Sequence, residues 1–106
     1  MTVAVTAIAA LRQVDSGHFA VVGELGFDTV RGLLAAGGSQ FAGASQQFEV
    51  DLSGVTQGDS AGLALLIEWL KLATRSGKSV RFTRVPEQLR ALAQISEIDS
   101  FLPLSS

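Results

Sequence analysis

Apolar and polar positions along this chain repeat with two periods, which separate predicted strands from predicted helices. In residues 48–53 an apolar position alternates with a polar one, the period typical of a strand with one buried face. Residues 18–25 are apolar on both faces over the stretch Phe19 to Val22, so we expect an interior strand there. The remaining strands are predicted within residues 3–14 and 80–85, with a turn at 15–17.

Helical spacing marks three further segments. The strongest helix is predicted over residues 60–76, with Gly77 ending it. A short helix capped by Asp28 is expected to end at Gly37. The last helix is predicted to begin at Pro86, where a missing N–H costs nothing. Its inner stripe is predicted to comprise Leu89, Leu92, Ala93 and Ile95.

The order of these elements predicts an α/β fold. Helices between strands favour crossover connections and a partly parallel sheet, while the opening hairpin adds an antiparallel pair. We therefore expect one domain over residues 1–106, with a mixed sheet of four to five strands flanked by about three helices. The optional fifth strand is a short one within residues 98–104.

Composition narrows the class of protein. A hydrophobic content of 47% with 17% charged residues is typical of a globular chain. The formal net charge of -2 gives no electrostatic footprint for nucleic acid. No stretch approaches the roughly 18 uninterrupted apolar residues of a membrane span, and the N-terminus lacks the basic start of a signal peptide. A cytoplasmic domain that does not insert into the membrane is expected.

The long predicted helix carries more apolar surface than one core face needs. Its apolar arc covers about 220°, whereas a stripe somewhat wider than 100° suffices to pack a helix on a sheet. The surplus comes from Leu65, Trp69 and Leu72. Either neighbouring helices bury these side chains, or they form a surface that binds a protein partner.

The junction Asp59-Ser60 is the most specific candidate for a functional site in the sequence. It places a hydroxyl at a helix N-terminus, where free N–H groups and the positive end of the dipole gather. Three roles are open: capping of the helix by Ser60 or Asp59, phosphorylation of Ser60, and direct contact with a partner.

Catalytic chemistry has little support in the sequence. The chain has no cysteine, a single histidine and no phosphate-binding loop signature. A triad of Ser60, His18 and Asp59 is disfavoured, because Asp59 and Ser60 are chain neighbours and no nucleophile elbow surrounds the serine. We expect no catalytic residue, no metal and no cofactor, and we interpret His18 as a surface residue at a strand start.

The run Asp59-Ser60-Ala61-Gly62-Leu63, between an apolar strand and a long apolar helix, resembles the signature of STAS domains. These domains include the anti-sigma factor antagonists, in which the serine of this motif is the phosphoacceptor. The stretch from Val50 through Leu66, with its run Gly-Leu-Ala-Leu-Leu after the hydroxyl residue, is more similar to the MlaB family. Members of that family are small cytoplasmic subunits of Mla-type phospholipid ABC transporters.

The resemblance implies a non-catalytic accessory subunit that supports a transporter maintaining the lipid asymmetry of the outer membrane. The implied partner is the ATPase subunit and, indirectly, the membrane permease, which would hold the protein peripherally at the inner membrane. The implied partner-binding residues are Asp59, Ser60, Ala61, Gly62, Leu65 and Trp69. Because serine is also the residue that the antagonists phosphorylate, the alternative is an antagonist switched at Ser60 by an anti-sigma factor kinase.

Overall fold

The structure, a computed structural model, describes residues 8–105 of the 106-residue chain. Its elements follow the predicted order. They are β1 (Ala9–Asp15), β2 (His18–Leu25), α1 (Val30–Gln40), a 3₁₀ turn (Phe41–Gly43), β3 (Gln47–Gly58), α2 (Ser60–Arg75), β4 (Ser79–Thr83) and α3 (Glu87–Ile95). The part of the predicted first strand before residue 8 lies outside the described residues.

The four strands form one sheet in the order β1-β2-β3-β4. β1 pairs with β2 in the antiparallel direction, and the other two pairings are parallel, which confirms a mixed sheet. The predicted fifth strand is reduced to a single parallel bridge between Phe82 and Leu104. There the Phe82 N–H donates to the Pro103 carbonyl over 2.9 Å, and the Ser105 N–H donates to the Phe82 carbonyl over 2.8 Å.

β3 is longer than its alternation predicted. The alternation stops at Ser53, but the strand continues through the following residues to Gly58. It does so irregularly, since its register with β2 shifts twice, and Gly23 in β2 adopts a positive φ of 100°. Pairing with β2 holds this segment in the sheet despite its glycines. As a result β2 and β3 end side by side, with Leu25 paired to Gly58.

Three helices cover one face of the sheet. Inward positions of the strands are buried, and outward positions such as Glu49 and Arg81 are half-buried or exposed. Helix α2 contacts α1 and α3 as well as β2, β3 and β4, so it is the central helix. The largest fully buried side chains are Trp69, Phe19, Phe82, Leu25, Leu52, Leu66 and Leu89.

Two predictions about α1 are wrong. Its N-cap is Thr29 and not Asp28, and the Thr29 hydroxyl bonds within the preceding loop and does not cap the helix. The helix also continues past Gly37 to Gln40. Gly37 is buried in the helix interior, where an added Cβ would collide with the Trp69 indole. Gly37 allows α1 to pack closely against α2. Local sequence alone does not distinguish such a glycine from one that ends a helix.

The ends of the other helices agree better with the sequence. Helix α2 ends at Arg75 and is followed by Gly77 at a φ of 72°, the left-handed conformation that glycine adopts easily. In α3 the residues Leu89 and Ala93 are buried and Leu92 is partly buried, as predicted. Ile95 is 79% exposed, so its place in the inner stripe was wrong.

Candidate functional site

The starts of all three helices lie at one end of the domain. We call residues 26–29, 58–61 and 86–88 the helix-start pole. Two hydrogen bonds hold its parts together: the Asp59 N–H donates over 3.1 Å to the carbonyl of Leu25, the residue just before the first segment, and the Gly58 N–H donates to Gln88 Oε1 over 3.2 Å. A cavity of about 200 Å³ between them is lined by Phe27, Asp59 and Gln88, among others. The pole follows from topology, because parallel strands β2 and β3 end at the same edge.

Asp59 is the residue that caps α2. Its Oδ1 accepts hydrogen bonds from the Ala61 N–H at 2.9 Å and from the Gly62 N–H at 3.2 Å. These are two of the N–H groups that a helix start leaves without an internal partner. Of the two capping residues that the sequence allowed, the structure therefore selects Asp59.

Because Asp59 caps α2, Ser60 has no capping role. It is the first residue of α2 and is exposed. Its hydroxyl makes no hydrogen bond to any group within residues 8–105. An exposed hydroxyl beside a completed cap is available to an incoming group, whether that group is a partner side chain or a phosphoryl donor.

Ala61 and Gly62 have different places at this helix start. Ala61 is half-buried, whereas Gly62 is buried against the end of β2. An added Cβ on Gly62 would meet Leu25 carbonyl oxygen and Leu25 Cβ, so only glycine lets α2 approach the strand this closely. Gly62 thus positions the site and is covered by the chain itself.

Leu65 and Trp69 do not form the exposed apolar patch that the helical wheel suggested. Their residues are 3% and 0% exposed. Helix α1 and the turn after it cover Trp69, with Gly37 against the indole and the Phe41 ring centroid 5.4 Å from that of Trp69. The alternative in which neighbouring helices bury the surplus apolar surface is the one that the structure shows. These two side chains are therefore not available for surface contact.

Phe27 is the residue at this pole that sequence reasoning missed. It lies in the loop between β2 and α1 and is 85% exposed. The neighbouring residue Gly26 approaches the Asp59 carboxylate, which places the loop directly beside the start of α2. The only signal in the sequence was an aromatic residue between the turn formers Gly26 and Asp28.

The far end of the sheet carries His18, the single histidine. It begins β2 and is exposed, as predicted. Its Nδ1 lies 2.8 Å from Asp15 Oδ1, and this hydrogen bond is the main cause that raises the pKa of His18 and lowers the pKa of Asp15. Since a strand rises about 3.3 Å per residue, the two ends of β2 are roughly 20 Å apart. Ser60 and His18 are thus at opposite ends of the domain.

Neither a metal-binding cluster nor a membrane-spanning helix is found in the described part of the chain. Within residues 8–105 no group of three or more His, Cys, Asp or Glu residues could hold a metal ion. None of the helices described there has the length and apolar character needed to cross a bilayer.

Comparison with protein families decides the classification. The family described as "Mlab, STAS domain" matches residues 8–104. The chain belongs to this family. STAS domains of this kind are generally non-catalytic regulatory or accessory domains. No match was found among curated proteins.

The solved structures similar to this chain include two kinds of protein. One is a chain of the Acinetobacter MlaFEDB complex in an ATP-bound conformation, with 25% identity and a TM-score of 0.72, covering 82% of this chain and 92% of that chain. The other comprises anti-sigma factor antagonists. SpoIIAA in its unphosphorylated form has 17% identity and a TM-score of 0.70, covering 93% of this chain and 89% of that chain. An antagonist from Mycobacterium paratuberculosis has 20% identity and a TM-score of 0.73, covering 94% of this chain and 86% of that chain. The antagonists show the fold alone.

Proposed function

We propose that this STAS domain is a non-catalytic accessory subunit that binds and supports the ATPase of a Mla-type phospholipid ABC transporter. Such a transporter would maintain the lipid asymmetry of the outer membrane. Two findings support the proposal: the family match over residues 8–104, and the likeness to a chain of the MlaFEDB complex that extends over 92% of that chain. The ATPase would hold the domain peripherally at the cytoplasmic side of the inner membrane, next to the permease.

The observation that carries the proposed site is the exposed Ser60 hydroxyl beside a helix cap already completed by Asp59. The cap fixes the backbone of the first turn, so a partner meets a rigid surface. Small side chains at Ser60, Ala61 and the exposed Ala64 one turn later permit close approach. Of the residues that the resemblance implied, we keep Asp59, Ser60 and Ala61 as the contact, with Gly62 positioning them.

The second candidate is an anti-sigma factor antagonist switched by phosphorylation of Ser60. The same exposed hydroxyl favours it, because an anion at a helix N-terminus is stabilised by the dipole. The Asp59 carboxylate already accepts from the Ala61 and Gly62 N–H groups. Because the antagonist motif has the same aspartate, this cap is compatible with both candidates. We favour unmodified contact with the ATPase on the strength of the family match over residues 8–104 and the likeness to a chain of the MlaFEDB complex.

The test is the variant Ser60→Arg, measured as affinity for the purified ATPase. We expect at least a 100-fold loss, because a bulky unpaired charge in a buried contact costs about 3 kcal/mol or more. Asp59→Arg should also abolish binding, but it removes the helix cap as well, so Ser60 gives the clearer result. The matched control is Ser39→Arg, an exposed serine in the last turn of α1, at the opposite end of that helix from the pole.

Retention of full affinity by Ser60→Arg would contradict the proposed site. Thermal unfolding of both variants checks that any loss is not a folding defect. If the wild-type protein binds a kinase-like anti-sigma factor in place of the ATPase, and mass spectrometry finds phosphate on Ser60 after incubation with it, the second candidate is the correct function.

A further inference from the structure

Phe27 is more exposed than any other large apolar side chain in the described part of the chain. It is 85% exposed, ahead of Ile95 at 79% and Phe101 at 73%. A single exposed aromatic residue is ordinary on a protein surface. Phe27 differs in three respects: its loop is rigid, its neighbours at the pole are acidic, and it lies next to the proposed contact. These features indicate which kind of partner surface would bury it.

The loop that carries Phe27 is held by hydrogen bonds on both sides. The buried Thr29 hydroxyl donates to the Glu24 carbonyl over 2.6 Å and accepts from the Gly26 N–H at 3.1 Å. The Thr29 and Val30 N–H groups both donate to the Gly26 carbonyl, over 3.0 and 3.1 Å. The chain between Gly26 and Thr29 is therefore a closed turn. A partner that receives Phe27 does not need to order the loop first, which lowers the entropic cost of binding.

The charged residues of the helix-start pole are all acidic. Asp28, Asp59 and Glu87 are exposed at the helix-start pole, and none of them forms an ion pair within residues 8–105. The three segments that form the pole contain no Lys, Arg or His; the nearest cations along the chain, each two residues from a segment, are Arg31, Arg84 and Arg90. An acidic rim around an apolar side chain fits a partner surface of the opposite pattern.

We propose that Phe27 anchors the contact with the ATPase, entering an apolar recess on that protein whose rim carries Lys and Arg side chains. This inference rests on the proposed function and adds the chemistry of the partner surface to it. Aromatic residues that fill a pocket at the centre of a contact carry most of the binding energy, and charged rims set orientation and association rate. The acidic pole disfavours two other occupants: a second copy of the same pole, and an anionic lipid surface.

The experiment measures the affinity of the purified ATPase for the full-length protein and for Phe27→Ala. We expect a loss of about 30-fold, the effect of a contact hot spot. The matched control is Phe101→Ala, which removes another largely exposed phenylalanine from the C-terminal segment and should change affinity less than two-fold. Both side chains are exposed, so neither variant should unfold.

A second pair of variants tests the acidic rim. Asp28→Lys should slow association with the ATPase about 10-fold at low salt, and the effect should shrink as salt screens the charges. Asp99→Lys, an exposed aspartate outside the pole, is the control and should leave the association rate unchanged.

The outcomes separate the inference from the function on which it rests. If the wild-type protein binds the ATPase and Phe27→Ala binds equally well, the anchor is wrong and the function stands. If the wild-type protein does not bind the ATPase, the proposed function fails and the anchor fails with it. Self-association of the wild-type protein that Phe27→Ala abolishes would overturn the assignment of the partner in favour of a second copy.

Discussion

At the scale of single residues, Asp59 and Ser60 have two different roles, capping and surface exposure, which the sequence alone did not assign. Asp59 caps α2 through two N–H groups, and Ser60 keeps an exposed hydroxyl. Both residue types are good N-caps, so local sequence alone does not decide between them. The decision comes from where the strand ends: the Asp59 N–H bonds to the Leu25 carbonyl, which sets the residue just before the helix.

This division predicts different stabilities for two alanine variants. Asp59→Ala should lower the free energy of unfolding by about 1 kcal/mol, since it leaves the Ala61 and Gly62 N–H groups without their acceptor. Ser60→Ala should change it by less than about 0.5 kcal/mol, as is usual for an exposed residue without partners. Urea unfolding followed by circular dichroism measures both. Equal destabilisation by the two variants would show that Ser60 shares the capping role.

Residues whose role depends on the fold were the ones that sequence patterns placed wrongly. Trp69 falls outside the core face on a helical wheel, yet α1 buries it completely. The sequence pattern does not single out Phe27, because nothing in it separates an exposed aromatic side chain from a buried one. Residues with local signals, such as the helix stop at Gly77, were placed correctly.

At the scale of elements, the contact between α1 and α2 depends on a glycine. Gly37 is buried against the Trp69 indole, while its neighbour Gly38 has open space around its Cα. Trp69 also contacts Phe41, which in turn packs edge-on against Phe19 with ring centroids 5.1 Å apart. An aromatic cluster therefore joins the two helices to the sheet, and close approach at Gly37 is the condition for it.

Neighbouring glycines in α1 should respond oppositely to alanine. Gly37→Ala should destabilise the domain by about 1–3 kcal/mol, because the added methyl group overpacks the contact with Trp69. Gly38→Ala should stabilise it by about 0.5–1 kcal/mol, since alanine is the better residue in a helix interior. For a domain of this size each kcal/mol shifts the melting temperature by about 4–8 °C. A melting temperature raised by both substitutions would contradict the tight packing at Gly37.

The elements themselves were largely predictable from periodicity. Their order, the bounds of β2 and the extent of α2 agree with the sequence analysis, because each has a strong local pattern and a clear stop. The strand predicted over residues 80–85 ends earlier, at Thr83, because Arg84 turns the chain with a φ of 52°. Two other ends were missed for a shared reason. Gly37 in α1 and the glycines late in β3 look like breaks, but tertiary contacts with α2 and β2 hold both segments in regular structure.

At the scale of the whole molecule, the sheet separates two chemically different ends. The helix-start pole is acidic and carries Phe27 and Ser60, whereas the opposite end carries His18 and the β1–β2 turn. The strand order creates this arrangement: β2 and β3 are parallel, so α1 and α2, which follow them, begin at the same end of the sheet. Sequence reasoning found the Ser60 part of the pole and missed the loop beside it, because it does not see which loops the sheet brings together.

The most direct test of the account is hydrogen–deuterium exchange of this protein alone and bound to the ATPase. We predict that binding slows exchange in residues 24–29 and 57–64, around Phe27 and Ser60, and leaves the outer face of the sheet and the β1–β2 turn unchanged. Protection on the outer face of the sheet, with none at the helix-start pole, would contradict the claim that this pole is where the partner binds.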